Sequence, residues 1–225
     1  MTPCWRPGSA RVSGSIELAS HFAVYPLPPT QPGPHMRAVI TLFFLALLST
    51  ATVHAAEPET AVFAGGCFWC MESDFEHLDG VHNVVSGFTG GTLKNPTYSG
   101  NHAGHYEAIE VTYDPAVIDY QTLVEHFWRN IDPFDDGGQF CDRGHSYRAA
   151  IFATEDQRSL ARESLQSVEK RFGKDKVVTQ ILLAAKFWPV EEYHQNYAEK
   201  NPVRYKYYRW SCGRDQRLEA VWGTD

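Results

Sequence analysis

An α+β fold, one mixed sheet carrying helices, is predicted by three observations. Short runs rich in β-branched and aromatic residues recur at 59–64, 81–91, 106–113, 147–153 and 176–183, most of them bounded by Gly, Pro, Asn or Asp. Helical periodicity fills the gaps, most clearly over 119–130, where Tyr120, Leu123, Val124, Phe127 and Trp128 fall at i, i+3, i+4, i+7 and i+8. The resulting order is βαβ–β–αβ–αβ. Its first six elements make a βαββαβ unit, the ferredoxin-like α/β sandwich, with extra elements toward the C-terminus.

Each element has its own warrant. Residues 59–64 are a short apolar run and read as a buried strand. A helix over 67–78 turns Phe75 and Leu78 inward. Gly90-Gly91 ends the second strand, and the polar segment 92–104 is a loop marked by Asn95-Pro96 and Ser99-Gly100. In the strand 106–113, Glu107, Ile109, Val111 and Tyr113 share one face; Tyr106, Ala108, Glu110 and Thr112 share the other. Asp114-Pro115 ends it. Residues 131–146 form a connection long enough to suggest a functional loop. Thr154-Glu155-Asp156-Gln157 is a capping box for a helix reaching about Phe172. A short helix is expected over 190–200, stopped by Asn201-Pro202, before an aromatic and basic tail.

The N-terminal 55 residues differ from the rest. Residues 1–35 hold seven of the thirteen prolines and show no periodicity. Met36-Arg37 opens an 11-residue apolar run, 38–48, followed by small residues through Val53-His54-Ala55. That is the pattern of a secretory signal peptide over 36–55, with cleavage expected after Ala55 and translation starting at Met36. The run is too short for a membrane span of roughly 20 residues, so no stable membrane association is expected. Residues 56–225 are then a single catalytic domain, exported and periplasmic. It carries 17 basic and 26 acidic residues, a net charge of −9, which argues against a nucleic-acid binder. A monomer is expected.

The chemistry concentrates at Gly65-Gly66-Cys67-Phe68-Trp69-Cys70. Cys67 sits where a strand turns into a helix, beside unpaired backbone N–H groups and the positive end of the helix dipole. Such a place is expected to lower a thiol's pKa from about 8.5. The Cys-x-x-Cys spacing lacks the following His of a haem site. Cys141 and Cys212 are isolated singles, a poor set for zinc. A redox pair, a nucleophile with a partner thiol, and an inert buried pair remain open. The rings of Phe68 and Trp69 suit a methyl or thioether group.

Gly66-Cys67-Phe68-Trp69 resembles the signature of the A-type peptide methionine sulfoxide reductases, in the subclass with Cys at the next position. Ordered blocks extend the resemblance over residues 60 to 202: Gly87-Phe88-Thr89-Gly90-Gly91, Asn95-Pro96-Thr97-Tyr98, Gly104-His105-Tyr106-Glu107-Ala108, Tyr113-Asp114-Pro115, Phe127-Trp128, Asp142 with Gly144 and Tyr147-Arg148, and Tyr193-His194-Gln195 with Lys200-Asn201-Pro202. The resemblance implies reduction of methionine-S-sulfoxide, in proteins and free, as protein repair under oxidative stress. Cys67 would be the nucleophile, Glu107 the acid, Tyr98 and Tyr147 the hydroxyls on the oxygen, and Phe68, Trp69 and Asp142 the substrate site. His105 and His194 are assigned no part in proton transfer. A sulfenic acid on Cys67 would condense with a second thiol. Cys70 is expected first in that role and Cys212 second; Cys141 is expected to be a bystander. No cofactor or metal is implied, and a thioredoxin-like reductant would recycle the disulfide. Two readings compete: an exported thioredoxin-like oxidoreductase using Cys67 and Cys70, and a structural domain held by two disulfides.

Overall fold

The computed structural model describes residues 57–223. The expected signal segment, the start at Met36 and cleavage after Ala55 lie outside the described residues. None of the described helices is long and apolar enough to cross a membrane.

Six strands form one sheet in the order β7-β6-β1-β3-β2-β8. They are β1 (Glu59–Gly65), β2 (Val81–Thr89), β3 (Tyr106–Tyr113), β6 (Ala149–Ala153), β7 (Gln180–Leu183) and β8 (Trp188–Pro189). The four middle strands pair antiparallel in the ferredoxin-like order, and β7 lies parallel to β6. β1 is central, so it reads as an apolar run rather than an alternation. Its Phe63 is flanked by Ile109 on β3 and Ile151 on β6, a fully buried row across three strands.

That row belongs to the main core, to which α1 (Phe68–Phe75), α2 (Tyr120–Arg129) and α3 (Arg158–Phe172) contribute. On α2 the buried residues are the five that the spacing predicts, and Asp119 caps the helix by accepting from the Thr122 N–H. Thr154 and Gln157 exchange side-chain-to-backbone hydrogen bonds at 3.1 and 3.3 Å, the reciprocal pair of a capping box. The opposite sheet face holds a smaller cluster of Ala64, Tyr106, Ala108, Ala150 and Phe152. The two faces of β3 therefore separate as the alternation predicts, with Glu107 on the helix side alongside Ile109 and Val111.

Several segments differ from expectation. The strand expected over 147–153 begins at Ala149, and Tyr147 closes a 3₁₀ turn, His145–Tyr147, before it. β7 begins at Gln180 rather than 176, because the Val178 N–H turns to the Pro133 carbonyl. The expected helix over 190–200 is a 3₁₀ turn, Glu192–His194, and one short α-turn, α4 (Tyr197–Lys200). Asn196 between them takes φ +52° and breaks the helical path. The tail is not an open segment but two helices, α5 (Pro202–Ser211) and α6 (Arg214–Trp222). The long connection contains a two-rung hairpin, β4 (Gly138–Gln139) with β5 (Asp142–Arg143). The Gln139 side chain holds it by bonding both the N–H and the carbonyl of Asp132 at 2.8 Å.

Candidate active site

The turn from β1 into α1 is built from glycines for steric reasons. Gly66 has φ +89°, and a Cβ there would lie 2.7 Å from Gln139 Cβ. At Gly65 a Cβ would collide with Met71 Sδ. Cys67 is the N-cap residue of α1, yet its side chain makes no capping bond. The free Phe68 N–H at the helix start instead donates to Glu107 Oε2 at 3.2 Å. β3 thus delivers Glu107 from beneath the helix terminus, on the face that its alternation assigns. The carboxyl is almost fully buried, and its Oε1 makes no hydrogen bond.

The electrostatics correct one expectation. The Cys67 thiol is pushed well above the usual thiol range, first by burial, then by the neighbouring Cys70 and Glu107. Burial outweighs the helix terminus, whose Phe68 N–H is bonded to Glu107. Cys70 is shifted the other way by the hydrogen bond from Cys67, helped by Arg214 and Arg209. Burial raises Glu107 to about 8, against the Phe68 N–H that favours its ionised form. The carboxyl is thus largely protonated at neutral pH.

Aromatic rings enclose this group. Phe68 is buried against Phe88, Tyr98 and His194, with ring centroids at 6.0, 6.0 and 5.4 Å. Trp69 is partly exposed; it stacks on Tyr197 at 3.7 Å and donates its indole N–H to His194 Nδ1 at 3.1 Å. Tyr98 is held up at about 12, first by burial and then by the charges of Glu107 and Cys67. Tyr147 is raised too, by burial followed by the charges of Glu107, Tyr98, Asp142 and Cys67. Both remain O–H donors at neutral pH, Tyr98 against the Phe68 ring that borders this space and Tyr147 in the 3₁₀ turn His145–Tyr147 that leads into β6.

Asp142 also reaches this space, carried by β5, and its carboxylate accepts from the Tyr208 hydroxyl of α5. The adjacent Cys141 is not a bystander: it is bonded to Cys212 in a disulfide spanning 71 residues. Cys212 therefore presents no free thiol in this state, whereas Cys67 and Cys70 are both free and buried. They pack in one cluster with Tyr205. Of the two expected resolving cysteines, only Cys70 lies beside Cys67 as a thiol. Replacing both Cys141 and Cys212 by Ser is expected to cost about 2–4 kcal/mol of stability, since the bond closes a long loop. Thermal unfolding reads the loss, and an unchanged midpoint would show that the bond holds nothing.

Comparison with known proteins agrees with this geometry. The family model of peptide methionine sulfoxide reductase matches residues 59–225. The chain belongs to the peptide methionine sulfoxide reductase family. Among members of that family, MsrA 2 of Caulobacter vibrioides is 54% identical over 195 residues, covering 84% of this chain and all of that protein. MsrA of Bacillus licheniformis is 50% identical over 174 residues, 75% of this chain and 96% of that one. Among solved structures, methionine sulfoxide reductase A of Corynebacterium diphtheriae aligns with a TM-score of 0.57 at 29% identity, covering 65% of this chain and 76% of that one. Mxr1 of Saccharomyces cerevisiae in reduced form gives 0.59 at 29% identity, covering 68% and 91%.

Within this reductase fold, several residues near the site were not expected from the sequence. Tyr208 and Tyr197 come from the tail and the broken helix. Asp74 on α1 receives Arg209 at 2.6 Å and Arg214 at 3.1 Å, tying α5 and α6 to the helix that carries the thiols. Arg214 is buried and also donates to the Asn130 carbonyl at 2.7 Å. A helical stripe in the tail, Tyr205, Tyr208 and Cys212 at i, i+3 and i+7, is the signal that could have found this packing. The histidines have structural partners. His105 joins the Leu93 carbonyl to the Gly91 N–H, and His194, held neutral by burial, accepts from Trp69. Among the described residues, Cys141, Asp142 and Cys212 bring three potential metal-ligand atoms together, but two of these are the sulfurs of the disulfide.

Proposed function

We propose that this protein reduces methionine-S-sulfoxide to methionine, in oxidised proteins and peptides and in the free amino acid. The observation that supports it most directly is a reactive-type thiol pair and a protonated carboxyl meeting at one helix start, Cys67 and Cys70 with Glu107. The Cys70 thiolate takes the Cys67 proton, and the Cys67 sulfur, now anionic, bonds to the sulfoxide sulfur. Glu107 protonates the departing oxygen, and Tyr98 and Tyr147 donate hydrogen bonds to it. The protonated oxygen passes to the Cys67 sulfur as the new S–S bond breaks with its electron pair going to the methionine sulfur; methionine leaves, and Cys67 is left as a sulfenic acid. The Cys70 thiol then displaces water from it, forming a Cys67–Cys70 disulfide. A thioredoxin-like dithiol returns both sulfurs to the thiol state by exchange. Phe68 and Trp69 hold the substrate methyl group, and Asp142 closes the substrate side. On this reading the chain is of the Gly-Cys-Phe-Trp-Cys subclass, with Cys70 as the resolving residue.

The basic start, apolar run and small residues of 36–55 support export through a cleaved signal peptide, giving a periplasmic repair enzyme. The test of the reaction is an assay with separated sulfoxide epimers and dithiothreitol. Turnover confined to the S epimer is expected, and preference for the R epimer would overturn the assignment. A thioredoxin-like oxidoreductase would instead reduce protein disulfides and leave both epimers untouched.

A further inference from the structure

Every group invoked above acts on the sulfoxide oxygen, on the methyl group or on the second thiol. One polar side chain that the mechanism leaves unused meets the attacking sulfur itself. Tyr208 of α5 lies edge-on to Trp69, with ring centroids 6.0 Å apart, and packs against the cluster that holds Cys67 and Cys70. Its hydroxyl donates to Asp142, on the side of the ring that packs toward the Cys67 and Cys70 sulfurs. We propose that Tyr208 is a further catalytic residue: its hydroxyl, parked on Asp142 in the resting site, turns to donate to the Cys67 sulfur when that sulfur becomes anionic. The proposal rests on Cys67 being the nucleophile.

The geometry favours a swinging donor over a fixed one. A phenol has one proton and two acceptors here, the Asp142 carboxylate and the sulfur. With Cys67 as thiol, the carboxylate is the stronger acceptor and takes the bond. Once the Cys67 proton has moved to Cys70, the sulfur is an anion in a dry site, where an unmatched charge is costly. Rotating the hydroxyl then supplies the missing donor without moving the backbone. No bond to carbon or sulfur is made or broken by Tyr208, and its proton stays on its oxygen.

The surroundings hold both ends of this switch. Cys212 is one helical turn beyond Tyr208, with its N–H on the Tyr208 carbonyl at 2.9 Å. Cys141 is the residue before Asp142. The Cys141–Cys212 disulfide therefore crosslinks the two backbones that carry donor and acceptor. The titratable groups around the sulfur are Cys70 on its own helix, Glu107 from β3, Tyr98 and Tyr147 from their loops, and Tyr205, Tyr208 and Asp142 from the braced side. The hydroxyl of Tyr208 acts to lower the Cys67 thiol, opposing burial, Cys70 and Glu107. Glu107 is taken up by the Phe68 N–H and the oxygen site.

The test compares Tyr208→Phe with its parent, both in a Cys70→Ser background, so that iodoacetamide reports Cys67 alone. Phe keeps the ring against Trp69 and removes only the hydroxyl. The pH midpoint of Cys67 alkylation is expected to rise by about one unit, since hydrogen bonding to the charged form favours it. In the same pair, methionine formed in a single turnover at saturating sulfoxide is expected to slow about tenfold, with sulfoxide affinity unchanged. Superimposable alkylation profiles would overturn the role of Tyr208. A rate loss accompanied by weakened sulfoxide affinity and an unshifted profile would assign Tyr208 to substrate packing and overturn it too. Turnover surviving in Cys67→Ser would instead overturn the nucleophile assignment, whatever Tyr208 does.

Discussion

Cys67→Ser is expected to produce no methionine from methionine sulfoxide, with or without excess dithiothreitol. The serine hydroxyl is nearly the same size, so the packing with Cys70 and Tyr205 is kept. What is lost is nucleophilicity, since an alcohol in this site has no base strong enough to ionise it. The protein should stay folded, because the sulfur makes no capping bond to α1 and Glu107 still takes the Phe68 N–H. Circular dichroism and thermal unfolding check the fold; methionine release by chromatography checks the chemistry. Cys70→Ser separates the two halves of the cycle: one methionine per protein should form, more slowly because Cys70 also takes the Cys67 proton, and turnover should then stop. Continued turnover with dithiothreitol would mean that the small dithiol itself resolves the sulfenic acid. Any steady turnover by Cys67→Ser would remove the mechanism altogether.

The second large effect is at Glu107. Glu107→Gln keeps an acceptor for the Phe68 N–H but has no proton to give, and the rate of methionine formation should fall by about 10²–10⁴. The pH profile sharpens this. Catalysis needs the protonated carboxyl, and burial holds it up at about 8. The rate should therefore fall as pH rises through about 8, and that limb should vanish in the Gln variant. Stability carries the same sign. The carboxyl is protonated in both folded and unfolded chains below its ordinary value of 4.5. As pH rises from there toward 8, the unfolded chain releases its proton and the folded one does not, so this stabilisation is lost across that window. Glu107→Gln should flatten that part of the stability curve. A pH-independent rate up to pH 9 would show that Glu107 is not the acid.

Much of the fold could be read from local patterns. The 3.6-residue spacing of α2, the alternation on β3 and the Thr154–Gln157 box each specify an element whose packing follows from its own residues. The face of Glu107 followed from alternation alone, because a strand has only two faces. The site was legible where one segment determines it: Gly66 by its backbone, Cys67 by its place at a strand-to-helix turn. It was not legible where a contact depends on distant chain. The pairing of Cys141 with Cys212 cannot be deduced from spacing. The rise of the Cys67 thiol depends on burial beneath α5 and on the approach of Glu107, neither of which a local motif records. Asn196 broke the expected helix because its left-handed backbone costs asparagine little, an option that periodicity does not reveal.

The arginine that ties α6 to α1 has a consequence for how the chain assembles. Arg214 reaches the Gly65 carbonyl across 149 residues and Met71 Sδ across 143, and the Trp69–His194 bond spans 125. Contacts this distant in sequence close late, after the entropy of ordering the intervening chain has been met. The sheet and its first helices can form while Cys67 and Cys70 still face water. The docking of α4 and α5 completes their burial. During that interval the four thiols of the described residues compete for oxidant, and Cys141 can pair with either of the reactive two. The yield of active protein is thus decided by a race between helix docking and sulfur oxidation, and folding under reducing conditions followed by slow oxidation favours the pairing seen here.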